Sequence, residues 1–176
     1  VSALGNAPPV SLTHRDFRVR PDSNVIEAVP GFSQGGACDT EFGERLLSLP
    51  TAPVRQTVLG QPAPGLIEDV SILEWFEIGR IWPISTPQKR FGAGADGFFT
   101  AARGLACYVG DVAPKYENNA FVCEPLGNLV HRRVLTRRGS VLVAKRGESG
   151  SEFLASSDEW FRPVNVATGP DGALYI

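Results

Sequence analysis

The chain has no methionine, only two histidines, and three cysteines with no C-x-x-C pair among them. With neither histidine near a cysteine pair, a structural zinc site is not expected. Basic residues are in no excess. Lys+Arg is 17 against Asp+Glu 19, giving a net charge of -2 and a pI of about 5.7. A general nucleic-acid binder carries a basic surplus, so that class is set aside. No uninterrupted apolar run approaches the ~18–20 residues that span a bilayer. Disorder is excluded from the other side, because 43% of the 176 residues are hydrophobic. That is enough for one sizeable core and on the short side for two. Long helices are excluded by punctuation: 19 Gly and 14 Pro interrupt the chain at short intervals, which suits short strands and turns. The missing methionine and the start at Val1 are expected of a processed or excerpted piece whose signal peptide is already gone. The apolar, β-like end Ala173-Leu174-Tyr175-Ile176 is expected to continue or to pair with something else.

What is there reads as β-structure. After a loose leader, His14 to Arg20 alternates polar and apolar residues, Pro21-Asp22-Ser23-Asn24 is turn chemistry, and Val25 to Val29 returns as the second strand of a hairpin. Gly31 to Gly36 breaks the pattern. Phe42 to Leu49 and Val54 to Leu59 are further strands, split by Pro50 and Pro53. Residues 60–97 form an irregular insertion with one helical candidate, Ile67 to Ile78. The second half is cleaner. Gly104 to Val109, Ala120 to Glu124, Leu129 to Leu135 and Val141 to Lys145 are four antiparallel strands joined by tight turns. Four such strands in ~40 residues is the size of one β-propeller blade. Pro163 to Thr168 and Ala173 to Ile176 then begin the next blade, across the hairpin signal Gly169-Pro170-Asp171-Gly172. The expectation is one all-β domain over 1–176: first strands in 1–59, the insertion in 60–97, and the best-defined blade plus the start of the next in 98–176. It comprises roughly three to four four-stranded blades of a partial propeller. A closed ring needs at least ~4 blades, so another chain or domain is expected to complete it.

Tyr116-Glu117-Asn118-Asn119-Ala120-Phe121-Val122-Cys123-Glu124-Pro125-Leu126-Gly127-Asn128-Leu129-Val130-His131-Arg132 resembles the signature blade of a known family. So do Glu152 to Val164 and Gly169 to Tyr175, and the earlier Asp16-Phe17-Arg18-Val19-Arg20-Pro21-Asp22 is similar in style. The family is that of bacterial membrane-bound dehydrogenase-type proteins named for a haem-binding CxxCH domain. Its propeller is similar to glucose/sorbosone dehydrogenases. The resemblance implies an exported protein, periplasmic or associated with the cell envelope. It implies oxidation of a small sugar or polyol, with electrons passed to a quinone or a haem c partner. Pyrroloquinoline quinone and calcium are the cofactors it brings into view. No CxxCH is present in this chain, so haem c would sit on a partner domain.

Candidate chemistry gathers at Asp158, Glu159, Trp160, Arg162 and Pro163. In a propeller the first strand of each blade lines the central channel, and the loops entering it collect at one mouth. Arg162 precedes such a strand, and its forked donors suit a carboxylate, phosphate or quinone oxygen. Arg103 is equivalent by blade position. Asp158 or Glu159 would serve as the base for a sugar hydroxyl. The structural alternative is an Asp–Arg tie between blades, with Trp160 as packing. Gly92-Ala93-Gly94-Ala95-Asp96-Gly97 spells G-x-G-x-x-G but lacks the preceding buried strand and following helix of a dinucleotide site. His131 reads first as a satisfied structural histidine. Arg132, Arg133, Arg137, Arg138, Lys145 and Arg146 read as a solvated hairpin. Asp22, Asp39, Asp111 and Asp171 sit beside turns without calcium-loop spacing. A Cys107–Cys123 disulfide stays open, with two buried thiols as the favoured reading. Beside the enzyme stands a second function: a non-catalytic propeller scaffold mediating protein–protein assembly through the Ala173–Ile176 edge or residues 60–97.

Overall fold

Short alternating segments and glycine turns produce strands nearly everywhere in the structure, a computed structural model that describes residues 9–58, 69–71, 79–85 and 97–176. In them the chain forms thirteen strands and no α-helix, the one helical piece being a 3-10 turn at Pro114–Tyr116. Strands β1 (Asp16–Arg20) and β2 (Val25–Val29) make the expected hairpin. A first antiparallel meander follows, of β3 (Gly36–Asp39), β4 (Arg45–Leu49), β5 (Ala52–Thr57) and β6 (Asp69–Ser71). A second consists of β7 (Arg103–Cys107), β8 (Asn119–Glu124), β9 (Leu129–Arg138) and β10 (Val141–Arg146). The short β11 (Leu154–Ala155) pairs with β9 beyond the reach of β10, and β12 (Ala167–Thr168) and β13 (Leu174–Tyr175) close as a last hairpin. The chain is thus all-β, built from separate antiparallel sheets of propeller-blade type, none closed on itself. Two full meanders and two hairpins do not make a ring on their own.

Three differences from the sequence reading have physical causes. The glycines that suggest a break at 31–36 instead open β3. Pro53 lies within β5 rather than ending a strand. The register slips between Leu47 and Leu49 opposite it, which is how a sheet accommodates a residue without an N–H. In the helical candidate Ile67–Ile78, Asp69–Ser71 is strand, because β5 offers an open row of backbone partners to it. The rest of that candidate lies outside the described residues, as do Gly92 to Asp96 of the glycine motif.

Packing explains why β8 is buried at every position. Ala120 and Val122 face a core shared with Leu46 and Val54 of the first meander and with Phe99, Leu105, Leu129 and Leu142. Phe121 and Cys123 point the other way, into a second core with Tyr108, Val130 and Val166 that reaches Leu174 of the last hairpin. A strand buried on both faces reads as a continuous apolar run instead of alternating. Ala120-Phe121-Val122-Cys123 is such a run, and the second meander is sandwiched between neighbours as a blade is in a stack.

The first strands meet backbone to backbone. Gly104 N–H donates to Gly35 C=O at 2.6 Å. Gly104 lies at φ +61° in the irregular stretch of β7 between Arg103 and Ala106, the bulge geometry glycine permits. A Cβ there would lie 2.5 Å from Asn165 Cα and 2.7 Å from Val164 C=O; one on Gly35 would lie 2.1 Å from Ala102 C=O. Nothing flexible can yield at either place. Gly104→Ala combines a left-handed backbone with a backbone clash and is expected to destabilise by about 3 kcal/mol or more. Gly139→Ala, also at positive φ but with open space around it, is expected to cost about 1 kcal/mol. Chemical denaturation of the two variants checks the difference.

Candidate functional site

The segment entering β12 is a built loop. Asn128, in the β8–β9 turn at φ 54°, is buried and fully engaged. Its Oδ1 accepts from Ser85 Oγ at 2.6 Å, and its Nδ2 donates to Glu159 C=O at 3.2 Å and Phe161 C=O at 2.8 Å. Asp158 Oδ1 accepts the Trp160 N–H at 2.9 Å, and Phe161 N–H donates to Asp158 C=O at 3.1 Å. Arg162 Nε donates to Glu159 C=O at 3.0 Å. The result is a turn pinned from below that holds the Trp160 indole in solvent, 90% exposed. Among the described residues Trp160 is therefore not packed between sheets.

Arg103 opens β7, and its Nε donates to Ala101 C=O at 3.1 Å. Its neighbour Gly104 touches Val164 and Asn165, just past Arg162. Arg103 thus opens β7, whereas Arg162 lies five residues ahead of β12, because the expected strand from Pro163 begins only at Ala167; each has its Nε turned to a carbonyl of its own segment. The loop into β7 is itself anchored. Buried Glu124 accepts from Thr100 and Ala101 N–H through Oε2, at 3.1 and 2.9 Å, and from Leu126 N–H through Oε1 at 3.2 Å. Burial pushes its carboxyl up despite those donors.

At the far ends of β3 and β7 lies a cavity of about 310 Å³, lined by Thr40, Glu41, Cys107, Tyr108, Val109, Gly110, Asp111, Glu117, Asn118, Asn119 and Leu135. Neither arginine reaches it. Its acid-and-amide wall was not legible in the sequence, since Glu41, Glu117 and Asn119 come from separate turns with no shared motif. Among the described residues, no three His, Cys, Asp or Glu side chains gather as metal ligands do. The turn aspartates are spread out, and Asp171 is spent on Ala173 N–H at 3.1 Å and the Tyr175 hydroxyl at 2.8 Å.

His131 is the structural histidine its strand position suggests. It is fully buried, edge-on to Phe99, with Nδ1 2.5 Å from Glu152 Oε2. Glu152 Oε1 accepts from Trp82 N–H at 2.8 Å and Arg146 Nη1 at 3.1 Å, and the Arg146 guanidinium lies 4.0 Å over the Trp82 ring. Nε2 has no hydrogen-bond partner, so the neutral ring with its proton on Nδ1 is the form that leaves no buried donor unsatisfied. Burial lowers the imidazole to about 4, against the pull of Glu152. Burial raises the Glu152 carboxyl, but His131 and Arg146 together hold it below the usual carboxylate range. The arginines of the β9–β10 hairpin are not simply a solvated face: Arg133 is fully buried, Arg132 pairs with Glu148 at 2.7 Å, and Arg137 pairs with Glu44.

A family described as Domain of unknown function (DUF7133) matches residues 3–176. No curated protein matches. Among solved structures, the soluble aldose sugar dehydrogenase from Escherichia coli in its apo form aligns at 16% identity and a TM-score of 0.37, over 92% of this chain and 40% of that one. The chain thus spans two-fifths of that protein's length. Among the described residues no helix is long and apolar enough to cross a membrane.

The buried histidine sets a pH dependence. Its folded value of about 4 lies below the ordinary 6.5, so on acidification the unfolded chain takes the proton first. The stability is present above about pH 6.5 and is lost progressively toward pH 4, by about 3 kcal/mol. Urea midpoints for the native chain and His131→Gln, measured across that window, are expected to converge as pH falls.

Proposed function

Since the chain belongs to the family described as Domain of unknown function (DUF7133), we propose a function from its own residues: a segment of an exported, dehydrogenase-like propeller that takes a sugar or polyol at the 158–162 loop. The observation that carries this is Trp160, held 90% exposed on a turn fixed by Asp158 and Asn128. A bare indole on a rigid mount exposes apolar area that a flat C–H surface would cover. The ring of a sugar offers that surface, and its hydroxyls suit the neighbouring carboxylates and guanidinium groups. In this reading Asp158 or Glu159 takes the hydroxyl proton, Arg162 and Arg103 steady the oxygen that loses it, and the electron acceptor, a quinone or haem c, belongs to a partner domain.

Titration of the chain with aldoses and polyols, followed by tryptophan fluorescence, tests the binding step. A saturable change is expected; by calorimetry, which does not depend on the indole, binding is expected to weaken about tenfold in Trp160→Ala with the far-ultraviolet circular dichroism unchanged. Turnover with a dye acceptor and added pyrroloquinoline quinone tests the oxidation separately. Fluorescence that no aldose or polyol changes would remove the sugar reading. If a partner chain then co-purifies and covers Trp160, the scaffold function takes its place.

A further inference from the structure

Two cysteines of different sheets come level with one another, and the backbone dictates it. The hydrogen bond from Gly104 N–H to Gly35 C=O sets β3 beside β7. Three residues beyond Gly35 stands Cys38, in β3, and three beyond Gly104 stands Cys107, in β7. Their Sγ atoms lie 2.7 Å apart. Both side chains border the core between the two meanders. Cys123 cannot be the partner of Cys107. Cys107 sits opposite Ala120 across the β7–β8 ladder, so the alternation of β8 turns Cys123 to the other face, into the second core. All three cysteines are free thiols in the structure, and a Cys107–Cys123 bridge does not fit this geometry.

Access is also arranged. Cys107 is half-buried and lines the 310 Å³ cavity, the side from which a small reagent would approach it. Cys38 is set back, and the contact with Cys107 together with burial pushes its thiol up. Burial likewise pushes the Cys123 thiol up to about 12, which makes it inert.

We propose that Cys38 and Cys107 form a redox-active pair that closes as a disulfide between the two sheets, with a small-molecule disulfide as oxidant. The Cys107 sulfur, having given up its proton, attacks one sulfur of the reagent and expels the first small thiol. The Cys38 sulfur then attacks the mixed disulfide at Cys107 and expels the second. One S–S bond breaks and one forms. The two cysteine protons end on the two small thiols, the protein loses two electrons and the reagent gains them. The bridge closes a loop across a sequence separation of 69, long enough for the cross-link to restrict the unfolded chain strongly. The pair stands independently of the sugar reading.

The test uses the full chain incubated with bis(2-hydroxyethyl) disulfide, a small uncharged oxidant, then unfolded without reductant, alkylated, and weighed intact. One alkylated cysteine is expected, located at Cys123, with a peptide map joining Cys38 to Cys107. Dithiothreitol is expected to restore three alkylated cysteines and to lower the melting temperature by about 5–15 °C. Cys38→Ser and Cys107→Ser are each expected to abolish that difference, and Cys123→Ser to keep it. Three alkylated cysteines after oxidation, a Cys107–Cys123 link, or a 2-hydroxyethylthio adduct left standing on Cys107 would overturn the proposal. The mass of the unmutated chain decides it even where a serine variant fails to fold.

Discussion

The fold depends on one contact between backbones, where Gly35 and Gly36 pass against Ala102 and Gly104, with Val164 and Asn165 on the far side of Gly104. Side chains would hold the sheets apart here. Without them the first strands of successive sheets approach closely enough for the N–H of one to bond the carbonyl of the next. The register then carries along their length. Gly104 meets Asn165 at one end of β7, and Val109 N–H reaches the Thr168 hydroxyl at 3.4 Å at the other. The first strands of three sheets therefore run the same way, side by side, which is the disposition of inner strands in stacked blades.

From that arrangement comes the burial of both faces of the second meander, and with burial a demand on every polar group caught between the sheets. Glu124, Asn128, His131 and Glu152 meet it as joints. Each ties its strand or turn to a loop that no sheet ladder reaches: residues 100–101, the loop 159–161, and Trp82. Buried polar groups left single would cost more than they contribute. The pairing of His131 with Glu152, and of Glu152 with Arg146, keeps a carboxylate ionised in a site that water does not enter. These joints place the loops they reach more firmly than apolar packing does, because they fix direction as well as contact.

Much of this was legible beforehand where local chemistry and tertiary context agree. The Asp-Gly turn at 171–172, the Asn-bearing turns and the apolar run at 120–123 led to the right strands, and the tight spacing of 104–145 led to the meander. The misses share a cause. Gly36 looked like a breaker because its value lies in what it lets approach, a fact about another segment. Pro53 looked like an end because the bulge that accommodates it belongs to β4. Cys38 was passed over since its partner is set by a sheet-to-sheet register that one strand's pattern does not encode. Trp160 drew notice as part of a polar cluster, but whether it packs or projects is decided by Asn128, thirty-two positions earlier.

The two ends of the first strands are chemically unlike, and that difference bears on where a ligand sits. At the entry side stand Arg103, at the start of β7, and half-buried Arg162, each bonded through Nε to a carbonyl of its own segment, together with the exposed Trp160 indole. At the exits Glu41, Asp111 and Glu117 wall a cavity whose floor includes a cysteine. In the proposed reading the C–H face of a sugar ring covers the exposed indole, and its hydroxyls turn to the polar groups beside it. The acidic exits would repel an anion, and their amides and carboxylates would keep water. What meets Cys107 there is small and uncharged. The stack thus separates two chemistries by the length of one strand, and the shared register of β3, β7 and β12 holds that separation constant from one sheet to the next.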